Sequence, residues 1–376
     1  MLSLYIHIPF CRAKCRYCGF YSTPYDPVVA DLYLKALKRE LTAYVPKLGP
    51  TPVATIYLGG GTPSILSPAQ LEELFAVIRS AMRLEPNIEI TVETNPDSLS
   101  KEVLGLLKDQ GVNRLSIGVQ SFSDAVLRWL RRPHSAQQAQ DALALSRSHG
   151  FSNINIDLIY GIPGLTTQTW CDTIKKAIDF IPEHIAAYSL SLDEGSMLRR
   201  EHEEGTLVLP DDDLVVQQYQ EAIEILEQKG YQHYEISNFS LPSFACRHNL
   251  NYWQRGEYLG LGPAAWSFLN GKRTMNIADI GSYLSRIETG GQAYQFEEIP
   301  SKDESFLEYL ALGLRLSCGV DQDTVASRFG EKMRDRLLER VHRLDWTGFF
   351  SIDGRSVRLT HRGRLLSNDA VARIVS

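Results

Sequence analysis

Tyr5-Ile6-His7-Ile8-Pro9-Phe10-Cys11-Arg12-Ala13-Lys14-Cys15-Arg16-Tyr17-Cys18 carries three cysteines within eight residues, spaced C-x3-C-x2-C. Thiolates on a short irregular loop can converge on a soft metal centre, and cysteine ligation is the usual way to hold an iron–sulfur cluster. A cubane cluster wants four ligands, and this loop offers three. One iron is then left open, as a catalytic metal keeps a position for water or substrate. A zinc knuckle and a disulfide pair are the plainer readings. Zinc asks for a fourth ligand, and none follows at a normal spacing. A disulfide suits a secreted protein.

Outward from this loop, strand-like and helix-like runs alternate to about residue 191. That order argues for a parallel sheet with helices outside. The strands read Leu2–Ile8, Val53–Leu58, Ile88–Thr94, Arg114–Val119, Asn153–Tyr160 and His184–Ser191. One intervening helix starts at Ser67, with Pro68 at its first position and Gln70 completing a capping box. Its Leu71, Leu74, Phe75 and Ile78 follow the helical period and face the sheet.

Strand side chains alternate faces. Leu4, Ile6 and Ile8 oppose Tyr5 and His7, and Ile88, Ile90 and Val92 oppose Glu89, Thr91 and Glu93. Leu115, Ile117 and Val119 oppose Ser116, Gly118 and Gln120, while Ile154, Ile156 and Leu158 oppose Asn153, Asn155 and Asp157. A sheet covered on both sides is apolar on both faces. One consistently polar face therefore lines something wet or charged. The expectation is an α/β partial barrel whose lumen holds a polar cofactor. Glu93, Gln120 and Asp157 read as strand-end residues, at the end where barrel enzymes place their chemistry.

Beyond Ser191 the pattern changes. Pro210-Asp211-Asp212-Asp213 opens a helix carrying Val215, Tyr219, Ala222, Ile223 and Leu226, stopped by Gly230; the acidic run complements the helix dipole. An aromatic, irregular segment covers Tyr231–Asn276. From about Ser301 the chain reads as three helices, a hairpin turning at Asp353-Gly354, and a last helix. The expected units are residues 1–200, the barrel with its cysteine loop; 201–300, a barrel extension; and 301–376, a mostly helical domain.

The 376 residues are 44% hydrophobic and 22% charged, with a net charge of −6, which is ordinary for a globular protein. No global basic surface advertises nucleic acid. Met1 to Ile8 does not read as a secretory signal, and no apolar run is long enough to span a bilayer. Six cysteines at this length make no disulfide framework, and a thiolate loop fits a reducing cytoplasm. The reading is cytoplasmic, with peripheral contact to a membrane left open.

With these motifs in place, the chain resembles the radical S-adenosylmethionine (SAM) superfamily. The H-I-P-F-C flank resembles the branch of anaerobic coproporphyrinogen oxidases and related haem chaperones. The resemblance implies a partial (βα)6 TIM-like barrel and a winged-helix-like C-terminal domain, read as a lid or docking module because its charges are mixed. It implies a 4Fe–4S cluster on Cys11, Cys15 and Cys18, with SAM chelating the open iron. Gly59-Gly60-Gly61-Thr62-Pro63 resembles the motif that receives the SAM amino group, with Thr62 near the carboxylate; its glycines expose amides to a ligand, and a phosphate loop is the rival. Glu93, in Glu93-Thr94-Asn95-Pro96, and Asp157, in Asn155-Ile156-Asp157, resemble ribose-binding residues. Gln120 would touch the ribose or methionine end. Arg132 matches the arginine that forks onto the SAM carboxylate, a role needing a planar donor. Tyr5 would pack over the sulfonium, Tyr17 would lie near the adenine, and Ser191 would close the sixth strand beside it.

Two further resemblances split the branch. Porphyrin-forming members carry a cysteine two residues past the third, where this chain has Phe20. They also carry a long segment before the motif, whereas ten residues precede Cys11 here. His248-Asn249-Leu250-Asn251-Tyr252-Trp253 resembles the signature of the haem chaperones, and imidazole or thiolate, from His248 or Cys246, would ligate haem iron. A hydrogen-bonded structural histidine is the plainer reading of His248. Gly260–Ser267 resembles a glycine-rich segment that usually has histidine where Trp266 stands. The expectation is a haem chaperone holding a 4Fe–4S cluster, SAM and haem as cargo for acceptor proteins, which are left open as membrane-bound or not. Oxidative decarboxylation of coproporphyrinogen III is the first alternative, and a radical SAM enzyme on another tetrapyrrole the second. A homodimer is left open.

Overall fold

The alternation of runs is realised as a parallel sheet. In the computed structural model, which describes residues 2–376, the barrel strands are β1 (Leu2–Ile8), β2 (Val53–Gly60), β3 (Leu84–Thr94), β4 (Arg114–Gln120), β5 (Ile154–Tyr160) and β6 (His184–Ser189). They pair in sequence order, each parallel to the next. Helices α1 (Pro27–Leu48), α2 (Pro68–Ala81), α3 (Lys101–Asp109), α4 (Ala136–Ser148) and α5 (Thr167–Ile178) make the crossovers. Helix α2 starts as its sequence requires: Ser67 Oγ accepts from Gln70 N–H at 3.3 Å, and the Gln70 amide oxygen accepts from Ser67 N–H at 3.0 Å. Leu71, Leu74, Phe75 and Ile78 are all buried.

The outer face of the sheet is the apolar core, running through Leu4, Ile6, Ile56, Leu58, Val92, Ile117 and Ile156. The opposite face is only partly wet. At the N-terminal end of the strands many of its polar groups pair with one another: Thr55 donates to Ser3 Oγ at 2.7 Å, Asn155 to Ser116 Oγ at 2.7 Å, and His184 Nδ1 meets Asn155 Oδ1 at 2.6 Å, while Thr91 Oγ1 and Arg114 Nε are buried without a partner. Buried polar groups paired in this way need no solvent. The barrel is therefore plugged at one end and open at the other.

Several boundaries move. Asp157 lies in the middle of β5 rather than at its end, and Ser191 lies beyond β6, which stops where its parallel partner β5 stops, at the Tyr160–Ser189 pair. The segment Tyr231–Asn276 is not irregular. It supplies β7 (Gln232–Glu235), β8 (Asn238–Ser240), β9 (Glu257–Leu261), β10 (Trp266–Leu269) and β11 (Lys272–Asn276), and β12 (Tyr294–Glu298) follows. Strand β9 pairs in parallel with β1, and β10 to β12 extend that side as an antiparallel meander. On the other side β8 and β7 continue from β6. The result is one 12-stranded sheet. These strands, three to five residues each, are too short to show a clear period of two.

The C-terminal part builds a separate core from Phe306, Leu310, Val325, Leu337, Val357, Leu359 and Ile374. Helices Lys302–Gly313, Gln322–Phe329 and Glu331–Arg343 precede a hairpin of Phe350–Asp353 and Ser356–Leu359. No helix among the described residues is long and apolar enough to cross a membrane.

Glu40 fastens the meander to the barrel. This α1 residue is buried, and its carboxylate accepts from Gly262 N–H at 2.9 Å, Asn276 Nδ2 at 2.6 Å and Tyr283 Oη at 2.7 Å. Burial nevertheless pushes its carboxyl up to about 7. Removing the acceptor leaves three donors unsatisfied in a dry site. Glu40→Ala should therefore lower stability by about 2–4 kcal/mol. A thermal melt reads this directly, and an unchanged midpoint would place the anchor elsewhere.

Candidate functional site

The cysteine loop leaves β1 at the open end of the barrel. It is pinned by its neighbours: Tyr25 N–H donates to Cys11 O at 3.0 Å, Cys18 N–H to Cys15 O at 3.3 Å, and Arg16 N–H to Leu130 O at 3.2 Å. The Arg16 guanidinium lies 4.4 Å over the Trp129 ring and forks onto the Glu201 carboxylate, with Nε at 3.0 Å. Cys11, Cys15 and Cys18 are all free thiols. They line a cavity of about 400 Å³ in the mouth of the barrel, a size that suits a small-molecule ligand.

The expected residues mostly meet there. Tyr17, Gly60, Gly61, Thr62, Glu93, Gln120, Arg132, Asp157 and Ser191 all line the cavity with the three cysteines. Tyr5 does not; its ring stacks behind Tyr57, 6.3 Å between centroids, and its hydroxyl meets His7 Nδ1 at 3.1 Å. Tyr57 takes its place on the wall, and Asn95 and Tyr188 join it. Asn95 belongs to the Glu93-Thr94-Asn95-Pro96 motif. Tyr57 shares the polar face of β2 with Thr55, an alternation that would have shown it.

Electrostatics at the two carboxylates are unusual. Glu93 accepts from Tyr57 Oη at 2.8 Å and Gly60 N–H at 3.1 Å, and burial, with Asp157 as a like charge, pushes it up to about 7. Asp157 accepts from Asn155 Nδ2 at 2.8 Å and Ser116 Oγ at 3.1 Å, and burial raises it too. Arg132 sits between loop and sheet. Its Nη2 donates to Asn95 Oδ1 at 2.5 Å and Gly118 O at 2.7 Å, and its Nη1 to Cys15 Sγ at 3.3 Å. Asn95 in turn donates to Thr62 Oγ1 at 2.8 Å, which faces Cys11 Sγ at 3.7 Å. One hydrogen-bonded chain thus runs from Arg132 to two of the three thiols. Gln120, on the lumen face of β4 and lining the cavity, holds a left-handed backbone (φ 64°) at the end of that strand. Such strain concentrates at functional sites and costs of order 1–3 kcal/mol.

The glycine turn does not present free amides to the cavity. Its amides are not exposed: Gly60 N–H goes to Glu93, Gly61 N–H to Ile8 O at 2.8 Å, and Thr62 N–H to Phe10 O at 2.7 Å. A phosphate loop needs free amides, so that rival falls. The glycines serve packing instead. A Cβ on Gly60 would sit 2.4 Å from the His7 ring, and one on Gly61 2.5 Å from Phe10 O.

His248 is not part of the site. It lies on α6 (Arg247–Trp253) under the plugged end, 1% exposed. Its Nδ1 meets Thr55 Oγ1 at 2.8 Å and its Nε2 meets Tyr252 Oη at 2.9 Å. Burial, with Arg114 nearby, pushes its pKa down to about 3. Cys246 is also buried, facing Glu89 Oε1 at 3.6 Å, with its thiol pushed up to about 12 by burial. Neither presents a free donor to haem, so both return to the structural reading.

Residues 5–177 match the model of the Radical SAM superfamily, and residues 301–366 that of the HemN C-terminal domain. The heme chaperone HemW of Lactococcus lactis is 36% identical over 98% of this chain and 95% of its own length. HemW of Bacillus subtilis is 35% identical over 98% of both. The chain belongs to the HemW family of radical SAM proteins. Its fold also matches the solved coproporphyrinogen III oxidase HemN of Escherichia coli, with a TM-score of 0.86, 26% identity, and coverage of 100% of this chain and 90% of that one.

Membership of this family implies a 4Fe–4S cluster and SAM, and the residues present fit both. Three free thiols share one cavity wall, and burial pushes the Cys18 thiol up to about 11, so a cationic centre is needed to hold it ionised. No three His, Cys, Asp or Glu side chains among the described residues gather around a single metal ion. A cubane does not ask for that, because each thiolate takes a different iron. Arg132 Nε is buried without a partner, an unspent donor beside the thiols.

The pH response of Glu93 follows from its environment. The folded protein keeps a proton on this carboxyl up to about 7, whereas an unfolded glutamate releases it near its ordinary value of 4.5. Between those values the folded state binds more protons, so this group's contribution to stability falls as pH rises. Glu93→Gln should remove that part of the slope, and the stability difference between variant and parent should change by about 1–3 kcal/mol across the window. Urea unfolding at several pH values checks it; parallel curves would mean that Glu93 titrates normally.

Proposed function

We propose that this chain is a haem chaperone: a cytoplasmic radical SAM-fold protein that binds haem and passes it to haem-requiring acceptor proteins. Cys11, Cys15 and Cys18 hold the cluster. When bound, such a cluster supplies one-electron chemistry and an iron position that no protein ligand occupies. Arg132 offers Nε to the SAM carboxylate while its two Nη groups stay anchored. Glu93 and Asp157 accept from the ribose hydroxyls, and their raised pKa values suit carboxyls that share a dry site. Gln120 closes the methionine end, and Tyr17 and Ser191 border the adenine at the rim.

The observation that carries the chaperone reading over the oxidase is the full-length similarity to proteins named heme chaperone HemW, above the 26% identity to the oxidase. Phe20 supports it. It stands at the cavity mouth, 63% exposed, where the resemblance places a further cysteine in porphyrin-forming proteins.

The two readings separate in one anaerobic experiment on cluster-loaded protein. Titration with haemin should saturate near one equivalent. Incubation with coproporphyrinogen III, SAM and a reductant should yield no protoporphyrinogen IX. Multiple turnovers without haemin binding would reverse the ranking.

A further inference from the structure

The parallel run of the barrel is an arc rather than a closed ring. Strands β1 and β6 stand at its two ends, separated by β2 to β5, and among the described residues they do not pair with each other. At the mouth, the chain leaving β1 becomes the cysteine loop. The chain leaving β6 becomes segment 190–193, which leads into the helix Met197–Glu203. Both are rims of the same cavity: Cys15, Tyr17 and Cys18 line it from one side, Leu190, Ser191 and Asp193 from the other. A ligand that fills the cavity meets both rims, so its affinity depends on how firmly they are held together beforehand.

Arg16, between Cys15 and Tyr17, fastens one rim to the other. Its backbone carbonyl accepts from Leu198 N–H at 3.1 Å, and Leu198 is fully buried. Its guanidinium forks onto Glu201: Nε lies 3.0 Å from Oε2 and 3.2 Å from Oε1, and Nη2 donates to Oε2 as well. The same guanidinium stacks 4.4 Å over the Trp129 ring. The two charged side chains are only 19% and 22% exposed. An open surface pair contributes little, but a shielded, bidentate and stacked arginine is the geometry that does. From Glu201 the hold continues back to the cavity. Ser196 caps the helix, its Oγ accepting from Arg199 N–H at 3.1 Å, and its own N–H donates to Asp193 O at 3.1 Å. Ser191 Oγ donates to Asp193 Oδ1 at 2.6 Å. The rims also touch directly, since a Cβ on Gly19 would lie 2.4 Å from Asp193 Cβ.

Neither Arg16 nor Glu201 is among the described residues that line the cavity. Their effect on a ligand therefore runs through the rims. We propose that Arg16, paired with Glu201, is a positioning residue for SAM: it latches the cysteine loop to the helix after β6, holds the two rims at the spacing that SAM bridges, and so sets SAM affinity without touching SAM. The inference rests on the reading of this cavity as a SAM site.

The test is anaerobic calorimetry of SAM against full-length, cluster-loaded protein, with no turnover involved. Arg16→Gln and Glu201→Gln should each weaken SAM binding about five- to tenfold, the low end of coupling between sites. The double variant should bind no more weakly than either single one, because both changes remove the same bond. The swap Arg16→Glu, Glu201→Arg should recover part of the loss. Amide hydrogen exchange across residues 191–203 should rise in the single variants, and SAM should slow it in the parent. Cluster absorbance should match the parent, since all three thiols remain. Should Arg16→Gln fail to take up the cluster, Glu201→Gln, which leaves the cysteine loop's own residues intact, decides the question. If the parent binds no SAM, the reading of the cavity fails and the latch with it. If the parent binds SAM and the single variants bind it equally well, the latch is overturned while the SAM site stands. Losses that simply add in the double variant would show two residues acting separately and overturn the latch too.

Discussion

A polar sheet face enclosed by a barrel has to be satisfied, either by its own groups or by a ligand. This chain does both, at opposite ends of the same strands. Below, Ser3, Thr55, Ser116, Asn155 and His184 bond among themselves and plug the barrel. Above, Glu93, Asp157 and Arg132 are left around a cavity with three thiols. Two neighbouring buried carboxyls, each raised in pKa, and a guanidinium with a spare donor make a site already shaped for a polar ligand. Such preorganisation lowers the cost of binding.

The loop and the sheet depend on each other through few contacts. Arg132 joins Cys15 to Asn95, and Asn95 joins Thr62 to the loop's first cysteine. Arg16 ties the loop's far side to Glu201 and Trp129. The glycine turn lets β2 lie against His7 and Phe10, so the thiols and carboxyls share one wall. Positioning of this precision comes from rigid elements supported by a surrounding hydrogen-bond network.

Much of this was legible in the sequence because two periodicities coincided. Alternation along Ile88–Thr94 and Asn153–Tyr160 separated core from lumen residue by residue, and the capping box at Ser67 marked a helix start that the structure keeps. The Cys loop and the residues around it were readable as motifs. What failed did so for physical reasons. Alternation cannot tell a wet polar face from one satisfied internally, so the plug was invisible. His248 stands in a motif, but motif membership says nothing of whether its two nitrogens are already engaged. The meander's strands pair only through contacts distant in sequence, as Glu40 with Gly262 and Asn276 shows. Trp266, Met275 and Phe296 are 30 residues apart at the extremes, and only the register of three strands brings them side by side.

On the proposed reading, Cys11, Cys15 and Cys18 would hold a cluster with one iron free of protein ligands beside the cavity that would take SAM. The most direct measurement is Mössbauer spectroscopy of the 57Fe-reconstituted protein before and after addition of SAM. Three irons should keep their spectrum while one, distinct from the rest, shifts when SAM is added. A spectrum of four equivalent irons that ignores SAM would contradict the account.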